Sequence, residues 1–512
     1  MLPSIRVEIF GCTPQVRSKE KLSGLAQLSG WCIPSRPNVR LRTLQHYSSI
    51  RRRSAVSTHS PDRWLISARL NETVEELDSP VRATLPMRRW RIAWLLGLGV
   101  LVNYFDRVNI SVSQASLYTA FGISSVTFGY LSGAYNWTYA MCQLPVGVLL
   151  DKFGVKKIGR ISTFIWSVAS FGAAIAPGVP SLFAARLTLG VGEAPTFPSN
   201  AKAIGHWFPP KQRSLATSLF DAAAKFAPAI GVPLIGMVLI AVGWRWSFAL
   251  TGLVSFLYFL LFCKVYRDPD DDPALSEVER HYISAEAEPL HAQQNTYDEP
   301  CSLGYLLKQR KVIGLAIGFG SYNYVFYLLL SWLPSYLSIA FHIDLLHSFL
   351  YTSMPWLVAT FMDLLVGGWL VDSLIHRGFD ASVVRKIVLV GGTMFGLGIF
   401  GAGSAHTAQQ ALIWISISIG GLSAAAPVGW SVPSLIASRH NVGRVGGILN
   451  FSNQLSGIAA PVITGYLVAR NSFHWVFGVA AIYLVIGIAA YIILLGRIEP
   501  MRSHRNLTGA LS

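Results

Sequence analysis

Two pairs of ionisable residues stand inside stretches that are otherwise apolar. The run 92–112 contains Asn103-Tyr-Phe-Asp-Arg107, which sets Asp106 beside Arg107. The segment "RLTLGVGEAP" places Arg186 and Glu193 seven residues apart. Seven residues are two helical turns, so both side chains point the same way, about 10 Å apart along the axis. An ionisable side chain within lipid costs roughly several kcal/mol unless it faces a partner or a watery cavity. The chemistry on offer is anion binding and proton exchange. Arginine presents a planar fork that meets a carboxylate with two hydrogen bonds. A buried acid exchanges a proton near working pH more readily than an exposed one. The competing readings are structural: Asp106 pairs with Arg107, and Arg186 and Glu193 neutralise each other.

The elements that must hold these residues are membrane spans. The chain has 512 residues, 52% hydrophobic and 13% charged. Soluble domains carry about a quarter charged residues. That deficit, with repeated apolar runs of about 20 residues, defines a polytopic helical membrane protein. The net charge of +16 does not indicate nucleic acid, because the basic residues fall in short loops and in the N-terminal stretch. The five cysteines lack metal-ligand spacing, so neither a metal site nor a disulfide is expected. No cofactor motif appears, and no extramembrane region is large enough for an enzyme active site.

Residues 1–87 differ in kind. Within them, residues 1–61 are Arg- and Ser-rich and acid-poor, and include Arg51-Arg52-Arg53. That composition resembles an organellar transit peptide. The alternative is a start at Met87, which opens "MRRWR" directly before the first span. Both readings make the stretch an extension outside the fold. Twelve spans are expected, at 91–117, 125–150, 157–177, 181–206, 213–240, 245–266, 309–340, 346–374, 385–404, 409–437, 444–469 and 473–496. The loops 151–160, 209–213, 376–386 and 438–444 are basic, whereas 113–125, 176–181 and 404–410 carry no charge. By the positive-inside rule both termini are cytoplasmic. The expected organisation is a six-helix bundle over 88–267, a cytoplasmic linker over 268–308, a second bundle over 309–497 and a tail over 498–512. Within the linker, Ser276 and Glu279 have the spacing of a helix-capping box.

The two bundles repeat each other. "GVLLD" at 147–151 is answered by "GWLVD" at 368–372, and "EAPTFPS" at 193–199 by "AAPVGWSVPS" at 425–434. Ala227-Pro228 is answered by Ala460-Pro461. Three landmarks in one order indicate a duplicated unit in the same orientation, with a site between the halves near mid-membrane. Glu193 corresponds to Ala425, so its charge is not demanded by the fold. Asp221 and Lys225 lie four apart on one helix, a favourable pairing distance. They are either a self-compensated pair or a pair in which Lys225 meets substrate. Asp363 lies inside the eighth span with no partner visible in the sequence.

"GVLLDKFGVKK" resembles the signature loop of the major facilitator superfamily, carried by Gly147, Asp151, Lys152, Gly154, Lys156 and Lys157. "NYFDR" together with "RLTLGVGEAPTFPSN" is narrower, and resembles the anion:cation symporter family, related to solute carrier family 17. That family includes galactonate, glucarate and hexuronate transporters. The resemblance spans 88–497. It implies an all-α fold of two parallel-repeat six-helix bundles and proton-coupled symport of an organic anion, commonly a sugar acid. It implies that Asp106 and Glu193 exchange protons and that Arg107 and Arg186 handle the anion. It adds Tyr104, Tyr139 and Asn453 to the cavity, and Trp430 and Lys225 are further candidates for its lining. Asp221 and Lys225 depart from the family, whose fifth span is often uncharged. The expected partners are a small organic anion, protons and the lipid bilayer, with no nucleic acid, and the protein is expected to work as a monomer. The expected location is a bacterial plasma membrane; the alternative is a plastid-envelope carrier of phosphate or carboxylates.

Overall fold

The computed structural model describes residues 87–209, 212–285, 302–437, 441–470 and 472–501. The extension 1–86, residues 286–301 of the expected linker and the tail 502–512 lie outside the described residues. Every long apolar run is helical. The first half contains α1 (Arg88–Val112), α2 (Gln114–Phe121), α3 (Ser125–Ala174), α4 (Val179–Glu193), α5 (Thr196–Trp207), α6 (Arg213–Val242) and α7 (Trp244–Val265). Two short helices follow, α8 (Glu277–Ala285) and α9 (Leu303–Leu306). The second half contains α10 (Arg310–Phe341), α11 (Leu345–Met362), a π-helical stretch (Asp363–Leu370), α12 (Val371–His376), α13 (Ala381–Gly396), α14 (Ile399–Gly403), α15 (Ala408–Ile436), α16 (Val442–Val468) and α17 (Phe473–Ala489).

These helices make twelve crossing segments in two six-helix bundles. Seven of the described helical stretches are long and apolar enough to cross a membrane on length and composition alone. The other five crossings are hidden from that criterion by breaks and by polar residues. α3 is two crossings joined at Gly154, whose φ of 75° only glycine adopts without strain. α4 and α5 are one crossing interrupted at Ala194-Pro195, where proline lacks the N–H that would continue the helix. α1 carries Asp106 and Arg107, and α16 is rich in Gly, Ser and Asn.

The segment between the halves is fastened to the start of α1. Arg88 reaches Asp272 at 2.7 Å and Arg89 reaches Glu279 at 2.8 Å. Ser276 caps α8 by accepting from the Glu279 backbone N–H at 3.2 Å. The Glu279 carboxylate does not complete a capping box; it accepts from Arg89 instead and is fully buried. Arg88 and Arg89 of "MRRWR" are thus counter-ions to an acidic linker as well as flanks of a span.

The seam between the halves is tight at one end and open at the other. At the end remote from the basic loops, a Cβ on Gly129 would lie 2.5 Å from the Pro461 carbonyl oxygen, and one on Gly465 2.5 Å from that of Ser125. Gly147 lies eighteen residues after Gly129, and Gly447 eighteen before Gly465. Eighteen residues are five helical turns, so each pair shares a face. Yet a Cβ on Gly147 or Gly447 would meet nothing within 4 Å among the described residues. Towards the opening, Asn450 Nδ2 donates to Gln143 Oε1 at 2.7 Å. The second seam, between α6 and α11, is also closed at the far end, where Gly236 lies against the Phe349 ring. Ser335 donating to Gln114 ties α10 to the start of α2 there.

Candidate functional site

Arg107 sits at the centre of the first half. It is 3% exposed, and its Nε lies 2.7 Å from Glu193 Oε2. Three rings enclose its guanidinium: Tyr104 at 4.6 Å, Tyr135 at 5.0 Å and Tyr139 at 5.4 Å. Each desolvated cation–π contact contributes about 0.5–2 kcal/mol. Arg186, 2% exposed, meets the same Tyr135 ring, with its guanidinium 5.1 Å from the centroid. Its Nη1 donates to the Asp106 backbone carbonyl at 3.3 Å, and its Nε has no hydrogen-bond acceptor. Asp106 accepts from Ser255 of α7 at 2.7 Å.

The pairing therefore differs from both structural readings of the sequence. Asp106 and Arg107 point into different neighbours, and among the described residues no carboxylate lies within 4 Å of Arg186. The ion pair crosses from α1 to α4. Local packing places each member. Asn109 accepts from Ser247 at 2.9 Å and donates to Thr251 at 3.1 Å, which fixes the rotation of α1 against α7. Gly190 lies against the Tyr135 carbonyl and Gly192 against the backbone of Trp166, so α4 sits close to both crossings of α3. Small residues permit such approach between membrane helices. Thr138 donating to the Leu187 carbonyl at 2.6 Å and Ser162 to that of Gly192 at 2.5 Å close the junction. Glu193 is the last residue of α4 before the Pro195 break.

The second half supplies aromatic and amide groups. Tyr104 meets Phe326 edge-on with centroids 6.2 Å apart, and Tyr135 lies 6.5 Å from Tyr327. Tyr322 and Phe319 continue this α10 surface to Trp430 of α15, with Phe319 and Trp430 5.1 Å apart. Asn453 is 1% exposed, and neither its amide nitrogen nor its oxygen has a hydrogen-bond partner. The sequence alone does not assign Tyr135, Tyr322, Phe326 or Tyr327 to cavity or core. A tyrosine inside an apolar helix reads alike in either place.

Lys225 belongs to a second cluster. Its Nζ lies 2.6 Å from Asp221 Oδ2 and 2.6 Å from Asp363 Oδ2. Asp363, without a partner in the sequence, is thus held by the opposite half. The signature-loop residues stand apart from both clusters. Gly154 makes the turn, Lys152 lies over the Phe153 ring at 5.4 Å, and Lys156 reaches Asp271 at 3.5 Å. Lys157 is exposed, and the Asp151 side chain is outside the described ones.

Comparison with known proteins gives a consistent result. The model of the Major Facilitator Superfamily matches residues 96–379 and 379–510. An uncharacterized transporter of Bacillus subtilis, YybO, is 38% identical over 420 residues, covering 81% of this chain and 95% of the relative. The D-galactonate transporter of Escherichia coli is 29% identical over 429 residues, covering 83% and 99%. The inward open structure of the xylose transporter XylE from Escherichia coli superposes with a TM-score of 0.62 at 16% identity, over 80% of this chain and 99% of that one. That last likeness speaks to the fold alone. Twelve crossings in two repeated bundles, a glycine-turned signature loop and these matches agree: the chain is an integral membrane transporter of the Major Facilitator Superfamily, in the branch that holds sugar-acid transporters.

Proposed function

We propose that the protein is a proton-coupled symporter that carries an organic anion of the sugar-acid class across a plasma membrane by alternating access. The observation that carries this reading is Arg186. It is a buried cation with an unused Nε donor and no carboxylate within 4 Å among the described residues. A charge so placed needs an anion, and a carboxylate fits the fork of its guanidinium. Tyr104, Tyr135, Tyr139 and Asn453 surround the position with groups suited to a polyhydroxylated molecule. The 29% identity to a D-galactonate transporter supports the same class. Glu193 and Asp106 are the coupling acids in this reading. Glu193 shares Arg107, and Asp106 rests on a hydroxyl, so each is able to take a proton without breaking the fold. The basic loops support a cytoplasmic side for both termini and the 268–308 linker, and in this reading the open end of the seam faces that side. Counterflow in proteoliposomes over a panel of aldonates, aldarates and hexuronates tests the substrate class. Exchange with at least one of them is expected, and exchange with none would remove it.

A further inference from the structure

Ten charged side chains are buried among the described residues, and the second half contributes one of them, Asp363. It lies at the start of the π-helical stretch Asp363–Leu370. π-helical stretches inside α-helices are frequent at functional sites. Asp363 is 1% exposed and touches Lys225 of the first half at 2.6 Å. That contact is an ion contact outside hydrogen-bond geometry, and no hydrogen-bond donor serves either Asp363 oxygen. Lys225 is already held by Asp221 at 2.6 Å, with a proper hydrogen bond. Two carboxylates therefore share one ammonium across the seam.

The charge arithmetic leaves one negative charge in excess. Position makes that costly. Lys225 is twelve residues into α6, about 18 Å along its axis, close to mid-membrane. The other groups in reach do not supply a cation. Tyr322 of α10 faces the cluster, and Tyr104 of α1 is within electrostatic range of Lys225. α15 packs on the π-helical stretch through Ala424 and Pro427 and contains no titratable residue. Like carboxylates sharing one site do not both stay ionised at low cost.

We infer that the Asp221–Lys225–Asp363 cluster is a second proton-binding site, distinct from Asp106 and Glu193, with the proton on the Asp363 side of the seam. Hydronium gives a proton to one Asp363 oxygen: one O–H bond of hydronium breaks, one O–H bond forms on the carboxyl, and water is left. The bridge from Lys225 then becomes a bond to a neutral acceptor, which holds the halves less tightly. Loss of the proton restores the full ion pair. The α6–α11 seam is thereby responsive to pH independently of any anion, and the site itself does not depend on the sugar-acid reading.

Infrared difference spectroscopy tests this on the full chain in lipid nanodiscs, stepping pH with no organic anion present. The wild type is expected to show a buried protonated-carboxyl C=O band that Asp363→Asn removes and that Asp106→Asn and Glu193→Gln leave in place. Asp221→Asn is the sharper variant, since it keeps Asp363 and its bridge. One acid on one ammonium needs no proton, so the same band should vanish although Asp363 is still present. Lys225→Met should add a second band, because both acids then lose their counter-ion. A band unchanged in Asp221→Asn, in protein whose thermal melt matches the wild type, would overturn the site. No substrate enters the measurement, so a failed sugar-acid panel and a failed second proton site are told apart.

Discussion

The two charged clusters are built on different plans. Asp106, Arg107, Arg186 and Glu193 all come from the first half, and their single ion pair joins α1 to α4 inside one bundle. The Asp221–Lys225–Asp363 cluster joins α6 to the eighth crossing, so it spans the boundary between bundles. If the bundles rock as rigid bodies, the first cluster keeps its geometry in every state. Only a ligand or a proton changes it. The second cluster feels the motion itself. One half thus holds chemistry that survives the transport cycle, and the seam holds charge that the cycle strains.

The comparison breaks most visibly at Arg186. Arg186→Ala should abolish anion binding, by at least ~30-fold, the low end of the about 2–5 kcal/mol lost when one partner of a buried charge pair is truncated. Arg186→Lys should rescue it only in part, because an ammonium lacks the planar fork. Equilibrium binding to purified protein with a transported sugar acid reads both; normal affinity in Arg186→Ala would refute the assignment.

Next in size is the contrast in stability. Arg107→Met strips the cation from a fully buried Glu193 and should cost about 3–5 kcal/mol. Asp363→Asn should cost about 0.5–3 kcal/mol, since Lys225 keeps Asp221. Thermal melts of the two variants in one detergent rank them; equal losses would erase the distinction between the clusters.

The smallest effect separates the two ends of the seam. Gly465→Leu meets the Ser125 backbone and should destabilise the state closed at the far end, whereas Gly447→Leu meets open space. Thiol labelling of a cysteine introduced at Gly147 should fall in Gly465→Leu as the basic end closes, and stay as in the parent in Gly447→Leu.

Much of this was legible in the sequence, for identifiable reasons. A charge inside an apolar run is conspicuous, so Asp106, Arg107, Arg186 and Glu193 stand out in the sequence as candidates. Repeated prolines and the signature loop announced the fold. Their pairing was not legible. Whether Glu193 meets Arg186 or Arg107 depends on the rotation of α1 against α4, which Asn109, Gly190 and Gly192 set through contacts between distant segments. Asp363 was opaque for the same reason, because its partner lies 138 residues upstream in the other half (363 less 225). The aromatic surface of α10 was hidden because α10 is buried on nearly all sides, and a helix buried all round shows no amphipathic stripe. Polar breaks hide five crossings from a criterion of helix length and composition, yet the runs of the sequence marked all twelve.

The central claim is that the acids of the first half couple protons to the anion held at Arg186. The direct measurement is uptake of a transported sugar acid into proteoliposomes under an imposed pH gradient, beside counterflow in the absence of one, for wild type, Asp106→Asn and Glu193→Gln. Both variants should lose pH-driven accumulation while counterflow persists, because a fixed neutral acid still lets the loaded carrier turn over. Wild-type accumulation in both variants would contradict it.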